Sequence, residues 1–158
     1  LETLHSGQVL INTARGEVID ESALENMPDT ADLILDVWYN EPDINHNLLA
    51  KTIIGTPHIA GYSYSGKIRG TLQLYHACCE YFNQQPQQHS SKASSLTTTQ
   101  SPQNQIRTLG DVLKHYDITA DNYRLKQILH NQQLSTGNYF DNLRKNYPIR
   151  KEWHPLIL

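Results

Sequence analysis

LDVWYNEP (residues 35–42) and IIGTPHIAGY (residues 53–62), read with LINTARGEVID (residues 10–20) upstream, decide the fold of this 158-residue chain. Each begins as an apolar run and leads into a residue with chemistry: Glu41, His58 and Arg15. Gln8–Asn12 (QVLIN), Leu33–Val37 (LILDV) and Thr52–Gly55 (TIIG) are short, continuous runs bounded by polar or glycine residues. Runs of that kind suit strands buried on both faces. Between the first two, Asp20–Met27 (DESALENM) predicts a brief helix with Asp20 as N-cap and Pro28 closing it. Between the second and third, Asn47–Ala50 has room for a turn or so of helix. Strands alternating with short crossovers predict a parallel α/β sheet with right-handed connections. Three strands are few for such a sheet, so one edge is expected to expose apolar surface. A cation, an acid and an imidazole at the ends of neighbouring strands suit the oxidation or reduction of an α-hydroxy acid.

Working outward, residues 65–82 predict an amphipathic helix, with Ile68, Leu72, Tyr75 and Cys79 three or four positions apart. Residues 83–105 (NQQPQQHSSKASSLTTTQSPQNQ) are polar and of low complexity, which reads as a flexible linker. Beyond it, 109–116, 120–130 and 139–147 carry apolar residues at helical spacing, and short strands are expected near 106 and over 155–158. A unit of about fifty residues is marginal alone, so a partner surface is expected.

Composition narrows the classes of function. The net charge is −3 and the thirteen Lys and Arg form no stripe, so nucleic acid is not expected as a partner. No apolar run is long enough to cross a bilayer and no signal peptide opens the chain, so no membrane partner is expected and the expected location is cytoplasmic. No metal site is expected. Cys78 and Cys79, adjacent on a helix, read as thiols that do not bridge. The chain opens at Leu1 without methionine or a glycine-rich loop, which reads as part of an enzyme.

Each candidate also has a plainer reading. Arg15 is placed to hold a carboxylate through two parallel hydrogen bonds, or to pair on the surface with Glu17 or Asp20. Gly16 beside it permits a close backbone approach or an unusual turn. Asp36, inside an apolar run, is either buried and hydrogen-bonded or set in a ligand crevice. Glu41 alone is a loop acid and His58 alone an incidental histidine. As a pair they form an acid/base, the carboxylate orienting the ring and stabilising the imidazolium.

LINTARGEVID, LDVWYNEP and GTPHIAGY together resemble the second half of the nucleotide-binding domain of the NAD-dependent D-2-hydroxyacid dehydrogenases. HIAGYSYSGKIRGT (58–71) and FDNLRKNYPIRKEW (140–153) are similar to one subgroup of that family, the erythronate-4-phosphate dehydrogenases of vitamin B6 biosynthesis. The resemblance covers residues 1 to about 83 and about 106 to 158. It implies an incomplete Rossmann-like parallel sheet followed by a small α+β dimerisation domain. The divisions would be 1–62 for the NAD-binding part, 63–83 for a helix leaving it, 84–105 for the linker and 106–158 for homodimerisation.

By the same resemblance Arg15, Glu41 and His58 would be catalytic, and Thr13, Ala14, Arg15, Asp36 and Gly61 would line the nicotinamide end of an NAD site. Tyr62 would touch a phosphorylated hydroxy acid, 4-phospho-D-erythronate, oxidised at its 2-hydroxyl. Lys67 and Arg69 read as helix-surface cations or as charge near a phosphate. The alternatives are another phosphorylated D-2-hydroxyacid, such as 3-phosphoglycerate, or a silent dimerising module. The segment between Leu24 and Leu33 is about one helical turn shorter than the family pattern, so a frayed or shifted crossover helix is expected.

Overall fold

The computed structural model describes residues 3–87, 108, 110, 111, 113, 116–131 and 135–150. Three strands, β1 (Val9–Asn12), β2 (Asp32–Leu35) and β3 (Ile54–Gly55), form a parallel sheet in the order β1-β2-β3. Among the described residues, helices with given bounds are α1 (Glu21–Glu25), α2 (His46–Lys51), α3 (Tyr64–Tyr81), α4 (Ile118–Lys126) and α5 (Thr136–Lys145), with short 3-10 turns at Gly16–Val18 and Gln127–Leu129. The fold is α/β, a partial Rossmann-like arrangement. No helix among the described residues is long and apolar enough to cross a membrane.

The chain divides into two compact units, Leu1–Ala60 with Val112–Tyr147, and Gly61–Asp111 with Pro148–Leu158. In the first, the register pairs Leu10 with Leu33 and Asn12 with Leu35, so these four share one sheet face. That face meets a core of Leu24, Met27, Leu33, Leu35, Trp38, Leu48, Leu49, Leu125, Ile128 and Phe140. Gly55 belongs there because a Cβ would stand 2.7 Å from the Leu49 side chain. The opposite face carries Val9 and Ile11, 49% and 61% exposed, the apolar surface expected at an edge strand.

Local capping explains the short helices. Asp20 accepts from the Ser22 hydroxyl and from the Ala23 N–H (3.1 Å), which hold its carboxyl below the usual aspartate range. At the other end of α1 the Lys51 ammonium donates to the carbonyls of Glu25 (2.6 Å) and Met27 (2.8 Å) and pairs with Asp29 at 3.3 Å. The shortened crossover is therefore a five-residue helix held at both ends. Asn45 caps α2 through its side-chain oxygen and donates to Glu21 and Glu25 of α1.

The linker-based division at 105 does not coincide with the compact units, because α4 and α5 share the sheet's core. Leu125 and Phe140 are fully buried in it. At the outer edge of β3, where an unpaired strand would leave its polar backbone open, Asn122 accepts from the Gly55 N–H at 2.9 Å. Lys126 donates to the Thr52 carbonyl at 2.5 Å, and partial burial pushes its pKa down. Buried Asp121 ties α4 to its flanks, accepting from the hydroxyls of Tyr116 (2.7 Å) and Tyr147 (2.8 Å) and from Arg124. Burial, then this bond, raises the Tyr116 hydroxyl pKa. The strands expected near 106 and over 155–158, and most of the linker, lie outside the described residues.

In the second unit, Ser63 caps α3 by accepting the Gly66 N–H at 3.0 Å, and the Tyr64 N–H donates to the Arg150 carbonyl at 2.9 Å. Cys78 is exposed and Cys79 buried, both as free thiols.

Candidate active site

The sheet's C-terminal end gathers three loops. The first follows β1, where the Asn12 amide donates to the Arg15 carbonyl (2.9 Å) and its oxygen accepts the Ala14 N–H (3.1 Å). This side chain folds residues 13–15 into a compact turn. Thr13, Ala14 and Arg15 are exposed on it, and Arg15 Nη1 donates to the Ala14 carbonyl at 2.7 Å. Gly16 then presses against the second loop, where a Cβ would fall 2.1 Å from the Trp38 carbonyl oxygen. No side chain fits there, so the glycine's role is close backbone approach.

The second loop follows β2 and contains Asp36, Trp38 and Glu41. Asp36 is 4% exposed. Its Oδ1 accepts from the Thr56 hydroxyl (2.6 Å) and the Ile59 N–H (2.8 Å), and its Oδ2 from the Ala60 N–H (2.9 Å). It is thus the organiser of the third loop, residues 56–60, and its burial needs no further explanation. Glu41 folds back, Oε1 accepting the Trp38 N–H at 2.9 Å, while the Trp38 indole donates to the Thr56 carbonyl at 3.0 Å.

The third loop carries His58. The β2–β3 pairing continues beyond the strands, with the Thr56 N–H donating to Leu35 (2.9 Å) and the His58 N–H to Asp36 (2.7 Å). His58 itself has φ +53°, a left-handed conformation that most non-glycine residues avoid. Such strain persists only where the surroundings over-determine it, and here they do. The ring meets Glu41, Nδ1 to Oε2 at 2.7 Å, with side chains 26% and 20% exposed. With Nδ1–H donated to the carboxylate, the neutral ring presents its lone pair on Nε2.

Glu41 and His58 are therefore brought together, Asp36 is drawn into the frame beneath them, and Thr13–Arg15 stand on a neighbouring loop. Gly61 (φ +72°) and Tyr62, against whose ring Lys67 Nζ lies 3.3 Å from the centroid, belong to the second unit. Sequence reasoning missed Asn12, Trp38 and Thr56. Asn12, at a strand's end directly before the turn it makes, carried an Asx-turn signal; the other two carried none, since their side chains bond partners distant in sequence.

An NAD-binding role fits these residues. Asp36 sets a carboxylate at the exit of β2, where it accepts from Thr56, Ile59 and Ala60. The exposed 13–15 turn offers peptide groups at a strand's C-terminal end, where open α/β sheets receive ligands.

Residues 1–60 match the family model described as D-isomer specific 2-hydroxyacid dehydrogenase, NAD binding domain. Residues 87–158 match a domain of unknown function, DUF3410. The chain is 41% identical over 166 residues to an erythronate-4-phosphate dehydrogenase of Proteus mirabilis, an alignment covering 99% of this chain and 42% of that protein. Proteins of the same name from Cellvibrio japonicus and Tolumonas auensis are 39% and 38% identical over 98% and 100% of this chain, and 44% and 43% of theirs. The chain thus spans less than half the length of these curated relatives. Residues 1–60 thus match the NAD binding domain of the D-2-hydroxyacid dehydrogenases, and the chain is similar throughout to the erythronate-4-phosphate dehydrogenases.

Proposed function

We propose that the chain acts in the NAD-dependent oxidation of 4-phospho-D-erythronate at its 2-hydroxyl, a step of pyridoxine formation in the cytoplasm. The observation that carries this reading is the 2.7 Å contact between His58 Nδ1 and Glu41 Oε2. His58 Nε2 takes the proton of the substrate hydroxyl, and the Glu41 carboxylate stabilises the imidazolium so formed. Arg15 swings from its own loop to hold the substrate carboxylate in a bidentate grip. When bound, NAD would supply the acceptor for the hydride that leaves the same carbon. Thr13, Ala14 and Asp36 would hold its nicotinamide end, the last by accepting from the carboxamide.

The roles of Gly61 at the cofactor and Tyr62 at the substrate rest on the family resemblance, as does homodimerisation through residues 106–158. The substrate is inferred from what the relatives are named for. The test is NADH formation by the protein at the full length its gene encodes. Turnover on 4-phospho-D-erythronate at least tenfold faster than on 3-phosphoglycerate supports the proposal; the reverse preference overturns the substrate.

A further inference from the structure

Helix α5 lacks a cap of its own. Its N-cap residue, Ser135, makes no side-chain hydrogen bond to the first turn. The cap comes from far away in the chain: Asp43 Oδ1 accepts the Gly137 N–H at 3.0 Å, 94 positions apart. Beside it, His46 Nε2 meets Thr136 Oγ1 at 2.9 Å. A carboxylate at a helix N-terminus is favourable through both the orphan N–H and the helix dipole.

Gly137 is shaped for this contact. A Cβ there would stand 2.8 Å from Asp43 Oδ1 and 3.2 Å from the Pro42 ring. Gly137 is the second residue of α5, and its lack of a side chain answers to the close approach of residues 42–43. Those residues directly follow Glu41. The loop is gripped on both sides of Pro42, by Trp38 and His58 at Glu41 and by α5 at Asp43.

We propose that Asp43 and Gly137 are positioning residues for the Glu41–His58 pair, so that the C-terminal helix α5 sets the acid/base geometry. The inference rests on the proposed roles of Glu41 and His58. When α5 does not hold Asp43, Glu41 no longer fixes the His58 ring, and the imidazole samples both tautomers and several orientations. A misplacement of this kind costs rate far more than binding.

The test reads the tautomer directly. In the 158-residue chain labelled with 15N-histidine, at a pH where the ring is neutral, the two ring nitrogens of His58 resonate far apart if one tautomer is fixed. They draw together if the tautomers mix. Wild type and Asp43→Asn, whose amide oxygen still caps Gly137, should show the wide separation. Asp43→Ala and Gly137→Ala should show it reduced, and in the protein at its full encoded length both should lose roughly ten- to a hundredfold in kcat at nearly unchanged KM.

A wild-type separation in both alanine variants overturns the proposal. The Glu41–His58 reading would stand or fall separately, on whether Glu41→Ala, which removes the acceptor altogether, reduces the separation. Should Asp43→Ala give no dispersed spectrum, the comparison of Asp43→Asn with Gly137→Ala decides in the same way.

Discussion

Phe140→Ala is the substitution that asks whether the sheet and the C-terminal helices are one cooperative body. Phe140 is fully buried, and its cluster includes Leu33 and Leu35 of β2, Leu48 and Leu49 of α2 and Leu125 of α4. Truncating a buried phenylalanine removes its transfer free energy and leaves a cavity, together about 3–5 kcal/mol. In a cooperative unit of about a hundred residues each kcal/mol is worth at least roughly 4 °C, so Tm should fall by about 12 °C or more. The reporter is Trp38, 2% exposed at the exit of β2, with Trp153→Phe introduced so that its fluorescence is read alone. The reasoning requires the Trp38 transition to fall by this amount and to coincide with loss of helical circular dichroism. A Trp38 transition left in place while part of the helical signal melts early would show that α4 and α5 fold apart from the sheet.

Other substitutions probe single links. Gly16→Ala should be severely destabilising, since its Cβ would fall 2.1 Å from the Trp38 carbonyl oxygen, and should lower the Trp38 transition without altering a residue of the acid/base pair. Asp117, the N-cap of α4, accepts from the Thr119 hydroxyl (2.5 Å) and N–H (2.9 Å), which hold its carboxyl below the usual range. That stabilisation is complete above the ordinary aspartate value of about 3.9 and is lost as pH falls through the lower folded value. Asp117→Asn, which caps without titrating, should therefore lose less helical signal between pH 4 and 2 than wild type, measured by circular dichroism, the interval being set roughly by that aspartate range. The 158-residue chain should bind NAD weakly in calorimetric titration, because its eight glycines nowhere form the G-x-G-x-x-G turn that receives a pyrophosphate; tight stoichiometric binding would misplace the cofactor site.

The sheet was readable from sequence because buried parallel strands leave continuous apolar runs; QVLIN, LILDV and TIIG each overlap an observed strand to within a few residues. Asp20 as a cap was readable because capping is a local matter of spacing. The bond between Glu41 and His58 was anticipated from complementary chemistry, although neither residue was persuasive alone. Asp36 was left between two environments, and only the folded 56–60 loop shows its oxygens engaged.

What escaped was how the residues beyond the polar stretch pair with the sheet. The polar stretch after residue 83 suggested a linker to a small C-terminal unit that needs a partner surface; Lys126 reaches Thr52 across 74 positions and Gly137 reaches Asp43 across 94. Helical periodicity identifies an apolar face without naming what covers it. Gly137 lay outside the expected 139–147 helix, and its close contact with Asp43 is seen only in the folded chain.

The pairing of Glu41 with His58 is tested most directly by the kinetics of His58→Asn in the protein at its full encoded length, with 4-phospho-D-erythronate and NAD. If His58 Nε2 is the acid/base, kcat should drop by roughly two to four orders of magnitude with KM little changed, and Glu41→Gln should drop it less. A His58→Asn protein that keeps nearly the wild-type kcat would make the histidine a structural residue of its loop and contradict the assignment.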